Sequence, residues 1–299
     1  MKPSKIFQQY IWIVNTLLKC KRMTLEEIGR LWEEDDVIGG SPLKRSSFYR
    51  HRDAILDMFG IIIECDKQTY EYYIANPEEL DNNSIKSWML STLTVNTALS
   101  DSASLKDRIL LENVPKGEEF LQTIIQAMRS GHRLRMGYQK FGSDAYTKTI
   151  CPYAVRRWEQ RWYLLALNDE NKIRKYALDD RMTMIEQTDE TFEMPEDFSP
   201  EAYFSEYYGI TTDGTPLAHV VIRTTNWVPD YLRTLPLHHS QREVTHTSDY
   251  TDFEFDIRPT YDFINKLLSY GDSLEVLEPA DLRLIIRQKL TESLKKYSI

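Results

Sequence analysis

Apolar residues recur at two different spacings within the first 75 positions, and the switch between them restricts what this stretch can become. Ile6, Tyr10, Ile13, Val14 and Leu17 follow the three-and-four rhythm of an amphipathic helix, and Ile28, Leu31 and Trp32 repeat it. Thr24-Leu25-Glu26-Glu27 reads as a capping box in front of that second helix, with Thr24 as N-cap and Glu27 three residues on. Gly39-Gly40-Ser41-Pro42 breaks the pattern. A third helix is expected from Ser46 or Ser47, either of which can cap it, burying Phe48, Ile55, Leu56 and Phe59 and ending at Gly60. From Ile61 the period drops to two. Ile61, Ile63 and Cys65 alternate with Ile62 and Glu64, Asp66 to Thr69 turns the chain, and Tyr70, Tyr72 and Ile74 alternate back as a hairpin.

Three helices followed by a two-stranded wing is a DNA-binding layout, the winged helix-turn-helix. Its third helix would be the reader. Ser47, Arg50 and His51 lie largely opposite the apolar stripe, Tyr49 lies within the helix, and Lys44 and Arg45 stand just before it. Arg can grip guanine O6 and N7 with two nitrogens, and Ser can bond a phosphate or a base edge. A solvated basic face on an ordinary three-helix unit accounts for the same residues equally well.

The net charge of −9 argues against nucleic acid until it is resolved along the chain. Ser41 to Arg52 carries Lys44, Arg45, Arg50 and Arg52 and no acid. Arg129 to Arg181 holds twelve Lys and Arg against six Asp and Glu, whereas Met182 to Asp256 holds three Arg against fifteen acids. Three electrostatic characters suggest three jobs. A length of 299 residues allows two or three domains. No run reaches the roughly 18 apolar residues of a membrane span, and the N-terminus does not look like a secretory signal. Cys20, Cys65 and Cys151 show no CxxC spacing, so a cytoplasmic protein with reduced thiols is expected.

Residues 79–117 read as a helical connector, with Trp88, Met89, Leu93 and Val95 in one helix and a polar break from Ser100 to Ser104. Glu118 to Ser130 is a helix with Phe120, Leu121, Ile124, Ile125 and Met128 as its stripe and Gly131 as its stop. Five short strands follow, at Arg133–Tyr138, Tyr146–Ile150, Tyr153–Val155, Arg161–Leu167 and Lys172–Leu178, a spacing that suggests a small barrel.

Within that region, Arg161-Trp162-Tyr163-Leu164-Leu165-Ala166-Leu167 resembles the signature of the WYL domain of bacterial transcription regulators. Gly137-Tyr138, Cys151-Pro152-Tyr153 and Arg174-Lys175-Tyr176-Ala177-Leu178-Asp179-Asp180-Arg181 occur in that family's order. Asp180 is an extra residue where the family has Leu-Asp-Arg. Arg45 to Arg52 stands where the family has its recognition helix, and Leu267 to Pro279 is similar to its C-terminal extension. The resemblance implies a multidomain α+β chain: an N-terminal winged helix-turn-helix (1–78), a connector (79–117), an Sm-like β-barrel WYL domain (118–194), a linker (195–215) and a ferredoxin-like C-terminal domain (216–299). It further implies a homodimer that binds a double-stranded operator and responds to an anionic, nucleotide-like or oligonucleotide effector. On that basis Tyr138, Arg157, Arg161, Tyr163, Arg174, Tyr176 and Arg181 are the candidate ligand residues, and the local excess of cations agrees. Trp162, Leu164 and Leu165 fit barrel core better than ligand contacts. Arg157, Arg161 and Arg174 have a competing use as counter-charges for the acidic C-terminal half.

In the C-terminal region, Pro195 to Pro216 reads as an acidic, aromatic connector. Strands are expected at Leu217–Arg223, Phe253–Ile257 and Leu274–Leu277, and helices around Phe263–Leu268 and from Ala280, the latter carrying Leu282, Leu284, Ile285, Ile286 and Leu290. No catalytic residue, metal or cofactor is expected: GxGxxG, GxxxxGK[ST], GxSxG and HExxH are all absent. Asp179 and Asp180 are adjacent on a strand and point to opposite faces, so they would not share a metal. A nucleic-acid-processing enzyme or accessory factor, or a sensor whose winged helix contacts protein, are the competing functions.

Overall fold

The helical spacing at the N-terminus folds as three packed helices: α1 (Lys5–Cys20), α2 (Leu25–Glu34) and α3 (Arg45–Phe59). The computed structural model describes residues 5–35, 42–80, 87–92, 94–95, 108, 110 and 117–297. It divides into two compact units, Met1–Glu112 and Asn113–Ile299. In the first unit the helices share a core of Tyr10, Ile13, Val14, Leu17, Ile28, Trp32, Phe48, Ile55 and Phe59. The capping box forms: the Thr24 N–H donates to Glu27 Oε2 (2.8 Å) and the Glu27 N–H to Thr24 Oγ1 (3.3 Å). Strands β1 (Met23–Thr24), β2 (Ile63–Cys65) and β3 (Glu71–Ile74) form an antiparallel sheet in the order β1-β3-β2. Gly60 ends α3 in the left-handed region at φ 64°, open to glycine without strain.

Three expectations for α3 fail. The helix begins at Arg45, with Lys44 as a cap that makes no side-chain bond, so neither Ser46 nor Ser47 caps it. Leu56 is 46% exposed. The buried stripe is Phe48, His51, Ile55 and Phe59, and a stripe at that spacing reaches position 51 and leaves position 56 outside. Of the expected connector, residues 87–92 and 94–95 are helical. The Gly39–Ser41 and Ser100–Ser104 breaks, and most of Leu105–Glu112, lie outside the described residues.

The second unit begins with a 3-10 turn (Glu118–Phe120) leading into α4 (Leu121–Ser130), which Gly131 ends at φ 66°. Strands β4 (His132–Gln139), β5 (Ala145–Trp158), β6 (Arg161–Leu167), β7 (Ile173–Ala177) and β8 (Met182–Thr191) form one sheet in the order β7-β6-β5-β4-β8. The two strands expected at Tyr146–Ile150 and Tyr153–Val155 are one. β5 pairs with β4 through Ile150 and with β6 from Cys151 on, and its register shifts between Pro152 and Ala154, where a proline is tolerated. The expected barrel is not closed: β7 and β8 are the edges of an open sheet. Ile124 and Ala127 of α4 pack with Leu134, Met136, Ile150, Leu164 and Tyr176 to form its core.

The chain then runs through α5 (Pro200–Phe204), capped by Ser199, into β9 (Ala218–Thr224), α6 (Val228–Thr234), β10 (Arg242–His246), β11 (Thr251–Ile257), α7 (Tyr261–Leu268), β12 (Leu274–Glu278) and α8 (Ala280–Lys295). The second sheet has the order β10-β11-β9-β12, every pair antiparallel. Phe253, Phe255 and Ile257 of β11 face the core against Phe263 and Leu267. On its other face Asp252 bonds Arg223, while Glu254 and Asp256 bond Arg242 (2.7–3.2 Å). Along α8 Leu282 is the one buried residue, and Leu284, Ile285 and Leu290 are exposed. Among the described residues no helix is long and apolar enough to cross a membrane.

Candidate functional site

The solvent side of α3 follows from its burial pattern. With Phe48, His51, Ile55 and Phe59 turned inward, Lys44, Arg45, Ser46 and Arg50 are exposed and Ser47, Tyr49 and Arg52 half-buried. Tyr49 organises the cations. Its hydroxyl accepts from Arg45 Nε (3.1 Å) and meets the Tyr72 hydroxyl of β3 (3.1 Å), while the Arg45 and Arg52 guanidiniums lie 5.6 and 5.1 Å from its ring centroid. The bonds to Tyr72 and Arg45 hold the Tyr49 phenol below its ordinary range, and burial pushes Tyr72 up. His51 does not belong to this face. It is 3% exposed, stacked on Trp32 with ring centroids 6.0 Å apart and edge-on to Tyr10 at 5.3 Å. Its expected DNA contact is therefore withdrawn, since position 51 completes the apolar stripe.

In the second unit the ladder sorts the ligand candidates by face. Arg156 pairs with Tyr163 and Tyr163 with Ala177; Trp158 pairs with Arg161 and Leu165 with Lys175. Directly paired side chains share a face, so Arg156, Arg161, Tyr163 and Lys175 lie on one side of the sheet. Arg157 pairs with Trp162, Leu164 with Tyr176 and Ala166 with Arg174. Those residues lie on the other side, with the core. Arg157 and Arg174 are exposed on that side. Tyr138 and Tyr176 are interior: both are buried with their rings edge to face (5.4 Å), and the Tyr138 hydroxyl accepts the Ala177 N–H (3.2 Å). Ligand contact by these two tyrosines is corrected to core packing. The seven candidates thus do not converge on one place.

Two of them do meet, around a residue the sequence reading used differently. Asp179 is 3% exposed, and its carboxylate accepts from Arg181 Nε (2.8 Å), Arg181 Nη2 (2.7 Å) and the Arg181 N–H (3.1 Å). Arg161 Nε lies 3.6 Å from the same carboxylate. Burial would raise the Asp179 pKa, but the Arg181 donors outweigh it and leave it lowered. Arg181 is accordingly raised by that bond. One carboxylate between two guanidiniums leaves one positive charge in excess, and Tyr163 is close enough to act on Arg181. With the extra Asp180 between them, Arg181 still bonds Asp179 through two guanidinium nitrogens. Asp180 is exposed while Asp179 is buried, but both lie in the turn after β7 and not on a strand, so the expected strand alternation does not apply to them. Phe141, in the β4–β5 turn, is 75% exposed with the Arg181 guanidinium 4.9 Å from its ring centroid. Nothing in its spacing singled it out.

Among the described residues no group of three His, Cys, Asp or Glu is arranged to hold a metal ion. The arrangement presents guanidiniums beside aromatic rings, groups suited to pairing with an anion and stacking on a planar ring.

A family model described as the WYL domain matches residues 119–187, and one described as the WCX domain matches residues 211–294. A search of the curated proteins gave no match. Among solved structures, proteasome accessory factor B/C (PafBC) of Arthrobacter aurescens is 19% identical at a TM-score of 0.37, over 97% of this chain and 46% of that one. A CRISPR Cas-related protein is 14% identical at a TM-score of 0.36, over 98% of this chain and 85% of that one. The chain spans less than half the length of the first, and at these TM-scores neither likeness carries an argument.

Proposed function

The chain belongs to the WYL domain-containing proteins, with a WCX domain following the WYL domain, and from that premise we propose that it is a ligand-responsive DNA-binding transcriptional regulator. The order α1-β1-α2-α3-β2-β3 supports reading residues 1–78 as a winged helix-turn-helix with α3 in the major groove. An open sheet of five strands with α4 packed into its core supports reading residues 118–194 as the WYL domain. The order β10-β11-β9-β12 supports a ferredoxin-like domain over 216–299.

The observation that carries the DNA reading is the exposed start of α3. Lys44, Arg45 and Arg50 stand at the positive end of a helix, with Tyr49 holding Arg45 and Arg52 in place. In a homodimer two such helices enter successive major grooves about 34 Å apart. In the WYL domain, Arg161, Tyr163, Phe141 and Arg181 form the sensing face for an anionic effector of nucleotide or oligonucleotide type. Guanidiniums beside rings suit a phosphate and a base together. No catalytic step is assigned.

Duplexes from the upstream region of the gene, titrated at several salt concentrations, test the reading. Arg50→Ala costs about 1–3 kcal/mol and relaxes base preference if Arg50 reads a base, whereas Lys44→Ala weakens all sequences alike and lowers the salt slope by about 1. Unchanged operator binding by the Arg50 variant removes α3 from the interface. Cleavage of the duplex with magnesium would make the protein a nuclease, and no binding at low salt would leave the first unit a protein-contact module.

A further inference from the structure

Residues 199–215 form a strap between the two sheets of the second unit, and it is fastened to the C-terminal fold. Asp262 of α7 accepts the Ile210 N–H (2.8 Å) and the Thr211 N–H (2.7 Å). Arg258 bonds Glu206 (2.6 Å) and the Thr215 carbonyl (2.7 Å), and His238 donates to the Ser205 carbonyl (2.7 Å). On its other side the strap lies against the face of the WYL sheet that carries Arg156 and Lys175. The Arg156 guanidinium sits 4.1 Å from the Phe204 ring centroid and 5.4 Å from that of Trp158. Its Nη1 is buried without a hydrogen-bond partner. Lys175 Nζ donates to the Thr212 hydroxyl, which also meets the Tyr203 hydroxyl (2.9 Å).

Among the described residues neither cation forms an ion pair. Asp262 acts on both, and Asp213 on Lys175, only at a distance. Asp262 commits both oxygens to Ile210 and Thr211, and Asp213 commits its Oδ1 to Thr215. Burial pushes both cations below their ordinary pKa. Holding two half-buried cations without a carboxylate partner is costly, and apolar side chains would fill the same space without that cost.

We propose that Arg156 and Lys175 form a second anion site, specific for a phosphate group, which the strap closes and which an entering phosphate opens by displacing Phe204 and Thr212. The site differs from the Arg161–Arg181 cluster, where Asp179 already supplies the anion. It rests on the sensing reading in that the effector is anionic, and it gives the WCX domain a means of registering occupancy, because the strap is anchored there.

Chymotryptic cleavage within 199–215, at Phe204, Tyr207 and Tyr208, reads the opening in the full-length protein. Inorganic pyrophosphate at matched ionic strength is expected to speed this cleavage about tenfold, since cleavage of an opened segment tracks its population. The double variant Arg156→Met/Lys175→Met is expected to show no such response, and Arg161→Ala to keep it. A 5′-phosphorylated pentathymidylate against the unphosphorylated one separates a nucleic-acid source of the phosphate from a free one. Arg156→Met alone is expected to leave the thermal midpoint unchanged or raised. A wild-type protein indifferent to every one of these anions overturns the proposal, as does a marked fall in midpoint for Arg156→Met, which would make Arg156 an adhesive for the strap. A response that survives the double variant and disappears in Arg161→Ala also overturns it, while leaving the sensing reading in place.

Discussion

An imidazole occupies a core position at residue 51, between Trp32 and Tyr10, with a buried Nδ1 that has no partner. Burial, and secondly Arg50, lower its pKa below the ordinary 6.5. The folded chain therefore holds this histidine neutral, and the unfolded chain binds more protons below about 6.5. The stability this residue allows is fully present above that value and declines as pH falls through it. The urea midpoint of the wild type is expected to drop between pH 7 and 5, and that of His51→Leu to drop less; equal slopes would show that the imidazole titrates freely. Sequence misplaced His51 because a polar letter interrupts the stripe, whereas packing needs only shape and spacing. Arg161 and Arg181 were legible from their motif. The buried Asp179 that joins them was not, because nothing local distinguishes it from Asp180. Phe141 and the Arg156–Lys175 pair became visible only once the strand register fixed which residues share a face.

Elements with a regular period and a marked stop were readable in advance: α2 behind its capping box, α3 ending at Gly60, α4 ending at Gly131, and the Phe253–Ile257 alternation. Those missed lack one or the other. β8 buries Met182 alone and reads as an acidic polar run, α6 is short, and β10 has no buried residue. In β5 the Cys151-Pro152 step looked like a break, but it is the place where one strand changes partners. α8 was also readable, and of its apolar run the fold buries Leu282 and leaves Leu284, Ile285 and Leu290 outside. Leu282→Ala is expected to cost about 2–4 kcal/mol in chemical denaturation, and Leu284→Ala, at 58% exposure, no more than about 0.5. A loss at Leu284 that grows on raising protein concentration would mean that a second copy covers this face.

At the scale of the whole molecule the charge of −9 says little about function, because its distribution assigns the cations to two surfaces and leaves the acids to a third. The three arginines of the acidic stretch are all spoken for: Arg223 by Asp252, Arg233 by Glu243 and Asp230, and Arg242 by Glu254 and Asp256. Arg161 likewise pairs within its own domain, with Asp179, and not with that half. On α3, Arg52 pairs with Asp53 (2.9 Å) and Arg45 donates to the Tyr49 hydroxyl, and on the WYL face one positive charge of the Arg161–Asp179–Arg181 cluster remains in excess. If the sensing face regulates the reading helix, linkage fixes the form of the result. A phosphate ligand that changes DNA affinity by some factor must have its own affinity changed by the same factor when DNA is bound. The measurement is two titrations of the full chain: operator duplex with and without saturating pyrophosphate, and pyrophosphate with and without saturating duplex. A regulator is expected to show a shift of about 5–150-fold in each, equal within error. Unequal factors would mean that pyrophosphate competes for the cations of α3 itself. Two factors of one would leave the WYL domain and the DNA reader energetically separate, and a signal would then have to travel by oligomerisation instead.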